Sequence, residues 1–140
     1  MNYKIRAATK EDCKDISRMI TELAVHDKMS DQVKLSYEEL EYDGFCQNPF
    51  FECLVAEVSE EHKSKEGNGI GSGLLSKVAE VGKKKKCVRL QLSVLNWNTP
   101  ARDFYAAKGA QDLTVNEGWH SVRFDGQNLD NLANEAPKDV

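Results

Sequence analysis

Alternate glycines in the segment 67–73 are the residues of this chain whose spacing most directly suggests chemistry. The segment reads GNGIGSG, and the apolar pattern of an amphipathic helix follows from Leu74. Glycines lack Cβ atoms and therefore let a ligand approach the backbone closely. The N-terminus of a helix adds unpaired N–H groups and a partial positive charge, which together favour phosphate oxygens. The spacing therefore predicts a site for a phosphorylated cofactor.

Two common phosphate-binding motifs do not fit this segment. A P-loop requires a lysine directly after its last glycine, and none follows here. A dinucleotide-binding fingerprint requires a third glycine or alanine and a preceding hydrophobic strand. Ser72 or Leu74 occupies that third position, depending on the register, and the polar residues 60–66 precede the segment. A flexible glycine-rich loop that only caps a helix remains the alternative interpretation.

Composition and charge indicate one globular domain. The chain has 140 residues, of which 40% are hydrophobic and 30% charged, and its net charge is −4. This balance disfavours nucleic acid as the main partner and is compatible with a cationic substrate. The basic run 83–86 stands alone and is expected to be the solvated end of a helix. Because we find no apolar run of membrane-spanning length and no signal-peptide pattern, we expect a cytoplasmic protein without a membrane partner.

The four cysteines are scattered along the chain and form no Cys-x-x-Cys pair. We expect free and mostly buried thiols in a reducing compartment, with no zinc site and no disulfide. His62 and His120 have no partner in the sequence that suggests metal binding or catalysis. The sequence therefore predicts no metal site.

Hydrophobic periodicity and capping residues predict alternating strands and helices. The predicted strands occupy residues 3–8, 50–58, 88–94 and 121–125. The predicted helices follow the capping residues Thr9 and Ser36, the glycine segment, and Asn98 or Thr99, and stop signals stand at Gly44 and Gly109. We expect one domain over residues 1–126 and a polar tail over residues 127–140.

The order of these elements and the short motifs within them resemble the GNAT superfamily of N-acetyltransferases. Within that superfamily, the chain is similar to the diamine (spermidine/spermine) and thialysine acetyltransferases. The matching segments are 48–51 and 56–58, the glycine segment 67–72, Trp97-Asn98, Phe104-Tyr105, 109–113 and 117–119. The resemblance extends from Tyr3 to about Phe124.

The resemblance implies a fold, a cofactor and an oligomeric state. The fold is the α/β (α+β) GNAT acyltransferase fold with a mixed central sheet. The cofactor is acetyl-CoA, and the family binds its pyrophosphate on the glycine segment. The implied cofactor-binding residues are Gly67, Asn68, Gly69, Ile70, Gly71 and Ser72, together with Asn98, Thr99, Pro100, Ala101 and Tyr105. Family members are usually homodimers, so a homodimer is expected here.

Tyr105 is the candidate catalytic residue. Transfer of an acyl group from a thioester to an amine needs an unprotonated amine and a proton for the departing thiolate. A phenol near the thioester sulfur can supply that proton, and the family's tyrosine at this helix position has that role. From the residues alone, a tyrosine beside Phe104 is more often a packing residue with its hydroxyl at the rim of the core.

The resemblance also assigns residues to the substrate. His26 and Asp27 follow the first long helix, where the family binds polyamines, and Asp27 could pair with an ammonium group. His26 could carry a proton, although a single histidine in a loop is more often only solvated. Gln91, Leu92 and Ser93 align with a second stretch that lines the substrate.

The chain departs from the family between Val58 and the glycine segment. The family has two consecutive strands there, whereas this chain has only the polar residues 59–66, so on the order of 30 residues are missing near 65–67. The second of those strands binds the pantetheine arm and carries an acidic residue for the amine. Its loss is expected to leave neighbouring strands without hydrogen-bond partners. Glu66 beside the glycines is also unfavourable near a pyrophosphate.

Two functions are therefore predicted as alternatives. The first is an acetyl-CoA-dependent N-acetyltransferase acting on a small primary amine by direct attack in a ternary complex. Its substrate is either a polyamine such as spermidine or spermine, or a thialysine-like amino acid. The second is a catalytically inactive, shortened relative that acts as a binding or regulatory dimer partner, and the missing acidic strand motivates it.

Overall fold

The computed structural model describes residues 3–33, 35–59 and 69–138. Two compact units divide the chain, Met1–Ser93 and Val94–Val140. The predicted division at residue 126 does not coincide with this boundary and stays a prediction. Gly67, Asn68 and the predicted gap near residues 65–67 lie outside the described residues.

Within the described residues, the first unit contains two strands and three α-helices. β1 (Tyr3–Ala7) and β2 (Leu54–Val58) pair in antiparallel register, with Tyr3 opposite Val58 and Ala7 opposite Leu54. The pairing extends by one hydrogen bond, because Ala8 N–H donates to Cys53 O at 2.8 Å. The helices are α1 (Cys13–His26), α2 (Tyr37–Gly44) and α3 (Ile70–Lys84). α1 packs against α2, and α3 packs against both strands.

The buried core of the described residues is small. It consists of Cys13 and Ala24 on α1 and Leu40 on α2. Burial raises the pKa of the Cys13 thiol. All four cysteines are free, but Cys46 and Cys87 are exposed, so the expectation of mostly buried thiols is wrong.

An ion pair and a capping box fix the start of α1. Thr9 is the N-cap of a 3₁₀ turn (Lys10–Asp12), and Asp12 Oδ2 accepts the Thr9 N–H at 2.7 Å, as the spacing predicts. Arg6 of β1 donates to both Asp12 carboxylate oxygens, at 2.7 and 2.9 Å, and to Glu57 of β2 at 2.8 Å. The Arg6 guanidinium, followed by the Thr9 N–H, holds the pKa of Asp12 well below its usual range.

We expect Asp12→Asn to lower the free energy of unfolding by about 2 kcal/mol at pH 7, because hydrogen bonds to charged groups are worth roughly 1.5–3 kcal/mol. A carboxylate whose pKa is lowered by folding stabilises the protein above its unfolded pKa and loses that contribution as the pH falls. The difference between the two proteins should therefore shrink as the pH drops below about 4. Urea unfolding at pH 7 and pH 3 measures this difference.

Asp15→Asn is the matched control for this experiment. The Asp15 carboxylate is 75% exposed and lies 3.8 Å from the Arg18 guanidinium, so its removal should change stability little. An Asp12→Asn effect that is as small as the Asp15→Asn effect, or that does not depend on pH, would contradict the prediction.

β2 begins later than the sequence predicts, at Leu54 instead of residue 50. α2 ends at Gly44 as predicted, and its N-cap Ser36 accepts the Glu39 N–H at 3.2 Å. The chain then crosses the end of this helix. Phe50 N–H donates to Asp43 O at 2.7 Å, and the Phe51 ring lies where a Cβ on Gly44 would be. This packing against α2 explains why residues 50–52 do not join the sheet.

In its described residues, the second unit contains three helices and no strand. Its helices are α4 (Thr99–Ala107), α5 (Leu113–Glu117) and α6 (Gly126–Asn134). α6 occupies much of the predicted polar tail, because Leu129 and Leu132 have helical spacing and Asp125 stands at the N-cap. The tail is therefore largely helical.

The two predicted strands at residues 88–94 and 121–125 are wrong. The sheet of the described residues contains β1 and β2 alone, so neither segment has a pairing partner there. Along the first segment, Val88, Leu90, Leu92 and Val94 are 96%, 49%, 44% and 38% exposed, although their alternation predicts a buried face. A strand forms only when a neighbour pairs with its backbone. The outcome is the one expected if the family's two preceding strands are absent.

None of the helices in residues 3–33, 35–59 and 69–138 is both long and apolar enough to cross a membrane. The same residues contain no group of three His, Cys, Asp or Glu side chains that could hold a metal ion.

Candidate active site

The described part of the predicted cofactor segment forms the start of α3. The helix begins at Ile70 instead of Leu74, so Gly71 and Ser72 are helical residues. Gly69 is the N-cap, and its φ of 75° is a left-handed conformation that favours glycine. Gly73 N–H donates to Gly69 O at 2.9 Å, which closes the first turn. We name residues 69–73 the glycine turn.

The glycine turn presents backbone amides beside open space. The first N–H groups of an α-helix have no acceptor within the helix, and here they belong to Ile70, Gly71 and Ser72. A Cβ on Gly69 or Gly71 would meet no atom of the described residues within 4 Å. A diphosphate could therefore approach these amides closely, and the helix dipole would favour its charge.

Gly73 has a different environment from the two glycines before it. A Cβ on Gly73 would overlap with the Tyr3 side chain, and the Tyr3 hydroxyl donates to Gly69 O at 3.3 Å. Motif spacing gives no signal for Tyr3, which is 66 residues from Gly69 in sequence. The contact arises because α3 packs against β1.

The second group of predicted cofactor-binding residues, 98–101, forms the start of α4. Asn98 is the N-cap, and its Oδ1 accepts the Ala101 N–H at 3.3 Å, so Asn98 and not Thr99 caps the helix. Pro100 lies in the first helical turn, where the missing proline N–H costs no hydrogen bond. This arrangement leaves the Thr99 and Pro100 side chains exposed.

Tyr105 lies on α4, one turn beyond these residues. Its half-buried ring contacts the edge of the Phe104 ring, with centroids 5.4 Å apart. Gly109, with φ 97°, follows the helix as predicted, and Ala110 N–H donates to Tyr105 O at 3.1 Å. These backbone contacts hold the end of the helix that carries the phenol.

The predicted substrate residues fall into two groups within the first unit. His26 ends α1, and its Nδ1 lies 3.1 Å from the Asp27 Oδ1. The Asp27 side chain is 24% exposed, which leaves its carboxylate accessible to a cation. Gln91, Leu92 and Ser93 lie in the irregular segment after α3 and are exposed.

Comparison with known proteins assigns this arrangement to a family. A family model described as Acetyltransferase (GNAT) family matches residues 58–110. Thialysine N-epsilon-acetyltransferase of Sus scrofa is 42% identical over 163 residues, covering 92% of this chain and 96% of that protein. The protein of the same name in Mus musculus is 40% identical, covering 93% of this chain and 96% of that protein. The chain belongs to the GNAT acetyltransferase family.

The fold class of this GNAT acetyltransferase is also confirmed. An integron cassette protein from the mobile metagenome of V. cholerae superimposes with a TM-score of 0.65. Its sequence is 22% identical, and the match covers 95% of this chain and 98% of that chain, so the likeness shows the fold alone. Together with the family relatives, it confirms the predicted GNAT fold, although the described part of the sheet has two antiparallel strands.

The alignment with the Sus scrofa relative is longer than the part of this GNAT chain that it covers. It runs over 163 residues but covers 92% of 140 residues, about 129, so about 34 of its positions have no residue here. That number agrees with the expected loss of on the order of 30 residues, which corresponds to two strands with their turns. The family assignment confirms the predicted N-acetyltransferase class and does not favour the inactive alternative.

Proposed function

We propose that this protein uses acetyl-CoA to acetylate a small primary amine, and that a thialysine-like amino acid is favoured over a polyamine. The observation that carries the proposal is the open surface beside Gly69 and Gly71 at the N-terminus of α3. The relatives named thialysine N-epsilon-acetyltransferase support the amine class. The net charge of −4 is compatible with a cationic substrate.

In this proposal two helix starts hold the cofactor. The amides of Ile70, Gly71 and Ser72 bind the diphosphate, because they combine unpaired N–H groups with the positive end of the helix dipole. Gly67 and Asn68, outside the described residues, extend the same segment. Residues 98–101 at the start of α4 also contribute to binding of the cofactor.

Tyr105 supplies the proton in the proposed reaction. When bound, acetyl-CoA supplies an acetyl thioester, and the sulfur is the leaving group when the acetyl group moves to an amine. The Tyr105 hydroxyl donates a proton to the sulfur as its bond to the acetyl carbon breaks, so CoA leaves as a thiol. The nitrogen of the new amide loses one proton to solvent, and the phenol takes one back from solvent. The attack by the amine is direct, within a ternary complex.

Asp27 and the exposed residues 91–93 bind the substrate in the proposal. The Asp27 carboxylate attracts the second charged group of a cationic amine, and His26 lies within hydrogen-bond distance of it. Gln91 and Ser93 offer hydrogen bonds, and Leu92 offers an apolar contact to the aliphatic part of the substrate.

Release of free thiol tests the proposal directly. We expect the purified chain, incubated with acetyl-CoA and thialysine, to release CoA thiol at a rate that depends on the amine, and faster with thialysine than with spermidine. Acetyl-CoA without amine is the control. Absence of amine-dependent thiol release, in a chain that still binds CoA by calorimetry, would support the inactive binding partner instead.

A homodimer and a cytoplasmic location complete the proposal. The homodimer is supported by the resemblance to the diamine and thialysine branch, and the cytoplasm by four free cysteines. Sedimentation equilibrium of the purified chain checks the first, and a monomer at all concentrations would contradict it.

A further inference from the structure

One hydrogen bond links the first strand to the start of α3. The Tyr3 hydroxyl donates to Gly69 O at 3.3 Å, and the same oxygen accepts the Gly73 N–H at 2.9 Å. Tyr3 is the first residue of β1 and is half-buried. The Gly69 carbonyl is therefore held from two sides, by its own helix and by the sheet.

The orientation of this carbonyl decides where an amide of the glycine turn points. Gly69 C=O and Ile70 N–H belong to one planar trans peptide unit, so they point in opposite directions. A donor that holds the carbonyl on the side of the sheet therefore directs the Ile70 N–H away from the sheet. Gly69 has a left-handed backbone conformation, with open space where its Cβ would be. The tyrosine thus adds a second restraint to a glycine that the first turn of α3 already holds.

Gly73 makes room for this tyrosine. A Cβ at that position would overlap with the Tyr3 hydroxyl and ring, whereas a Cβ on Gly69 or Gly71 would meet no atom among residues 3–33, 35–59 and 69–138 within 4 Å. The glycines of the turn therefore have two purposes. Gly69 and Gly71 leave a surface open, and Gly73 lets the side chain of Tyr3 reach the carbonyl of Gly69.

We propose that Tyr3 is a positioning residue for the cofactor, which it never touches. Its hydroxyl fixes the peptide between Gly69 and Ile70 so that the Ile70 N–H is available to a diphosphate. The inference rests on the proposed function, because it requires the glycine turn to bind CoA. It adds to that function a residue on β1 that sets the affinity of the turn.

Tyr3→Phe tests the hydrogen bond and keeps the ring. We expect the Kd for CoA to rise about three- to tenfold, which corresponds to one lost neutral hydrogen bond. At saturating acetyl-CoA, kcat and the KM for the amine should not change. If Tyr3 were only a packing residue, Tyr3→Phe would leave the CoA affinity unchanged, because the ring remains. Calorimetry with CoA and steady-state kinetics separate the two roles.

The pair of Tyr3 and Gly73 can be tested by a double-mutant cycle. Gly73→Ala should weaken CoA binding at least tenfold, because its methyl group displaces Tyr3. The same change made in Tyr3→Ala should cost less than twofold, because the ring is gone. Gly82→Ala is the matched control on α3. Among the described residues its Cβ would meet Cys87 Cβ alone, at 3.7 Å, so CoA binding should not change.

The outcomes distinguish this inference from the function on which it rests. Equal CoA affinity of the unmodified chain and Tyr3→Phe would overturn the role of Tyr3 and leave the proposed function standing. If Gly73→Ala weakened CoA binding equally with and without the Tyr3 ring, the role of Tyr3 would also be overturned and the proposed function would stand. Failure of the unmodified chain to bind CoA would overturn the proposed function, and the inference with it.

Discussion

Tyr105→Phe should lower kcat by about 100-fold or more, because a positioned general acid typically contributes a factor of 10² to 10⁴. Phenylalanine keeps the ring and its contact with Phe104, so the helix should fold as before. Only the proton donor is lost. The thiolate must then leave without protonation or take a proton from water.

The measurement is kcat against pH, with acetyl-CoA and thialysine both saturating. Calorimetry with CoA accompanies it, because the variant should still bind the cofactor. Tyr42→Phe is the matched control: this tyrosine lies on α2 and is 73% exposed, so the loss of its hydroxyl should leave kcat unchanged. If Tyr105→Phe retains the wild-type rate, Tyr105 is not the acid.

Gly71→Asp should weaken CoA binding by about 100-fold or more. A carboxylate about 5 Å from one phosphate charge is repelled by about 3 kcal/mol at an effective dielectric constant of 20, and a diphosphate carries more than one such charge. The fold should tolerate the substitution, because a Cβ on Gly71 meets no atom within 4 Å in the part of the chain that the structure describes. An acidic residue in the first turn of a helix is also favourable for the helix dipole.

Gly71→Asn isolates the charge, because asparagine has the shape of aspartate without its negative charge. We expect the asparagine variant to bind CoA at least tenfold more tightly than the aspartate variant. Circular dichroism should show that both variants are folded, with a thermal midpoint for the aspartate variant at least as high as that for the asparagine variant. Equal CoA affinities for the two variants would mean that no phosphate lies beside Gly71, and the cofactor site would have to be sought elsewhere.

The local parts of this structure could be predicted from the sequence. Thr9 with Asp12, Ser36 with Glu39, and the Asn98 cap all form as their spacing predicts. Each of these hydrogen bonds joins residues three apart in the chain, so short-range sequence is sufficient to specify it. The GNAT family could also be recognised, because its short motifs lie in order along the chain.

The predictions that were wrong depend on contacts between residues far apart in sequence. Residues 88–94 have the alternation of a strand, but alternation cannot supply the neighbour that a strand requires. The last glycine of the turn looked like part of a phosphate-binding motif, whereas its small size also serves Tyr3, far away in sequence. Residue type and spacing do not predict contacts between residues that are distant in sequence. The predicted start of α3 at Leu74 was wrong for a related reason. Glycines are poor helix formers, and packing against β1 and β2 stabilises them in the helix.

The exposed side of residues 88–94 has a practical consequence for anyone who handles this protein. Four apolar side chains there face water along a stretch with high β-propensity, a combination that promotes sheet formation between molecules. Aggregation should therefore increase steeply as the protein is concentrated. Chaperones that bind extended apolar peptides should prolong its lifetime in a cell, and dilute storage should do so in a tube.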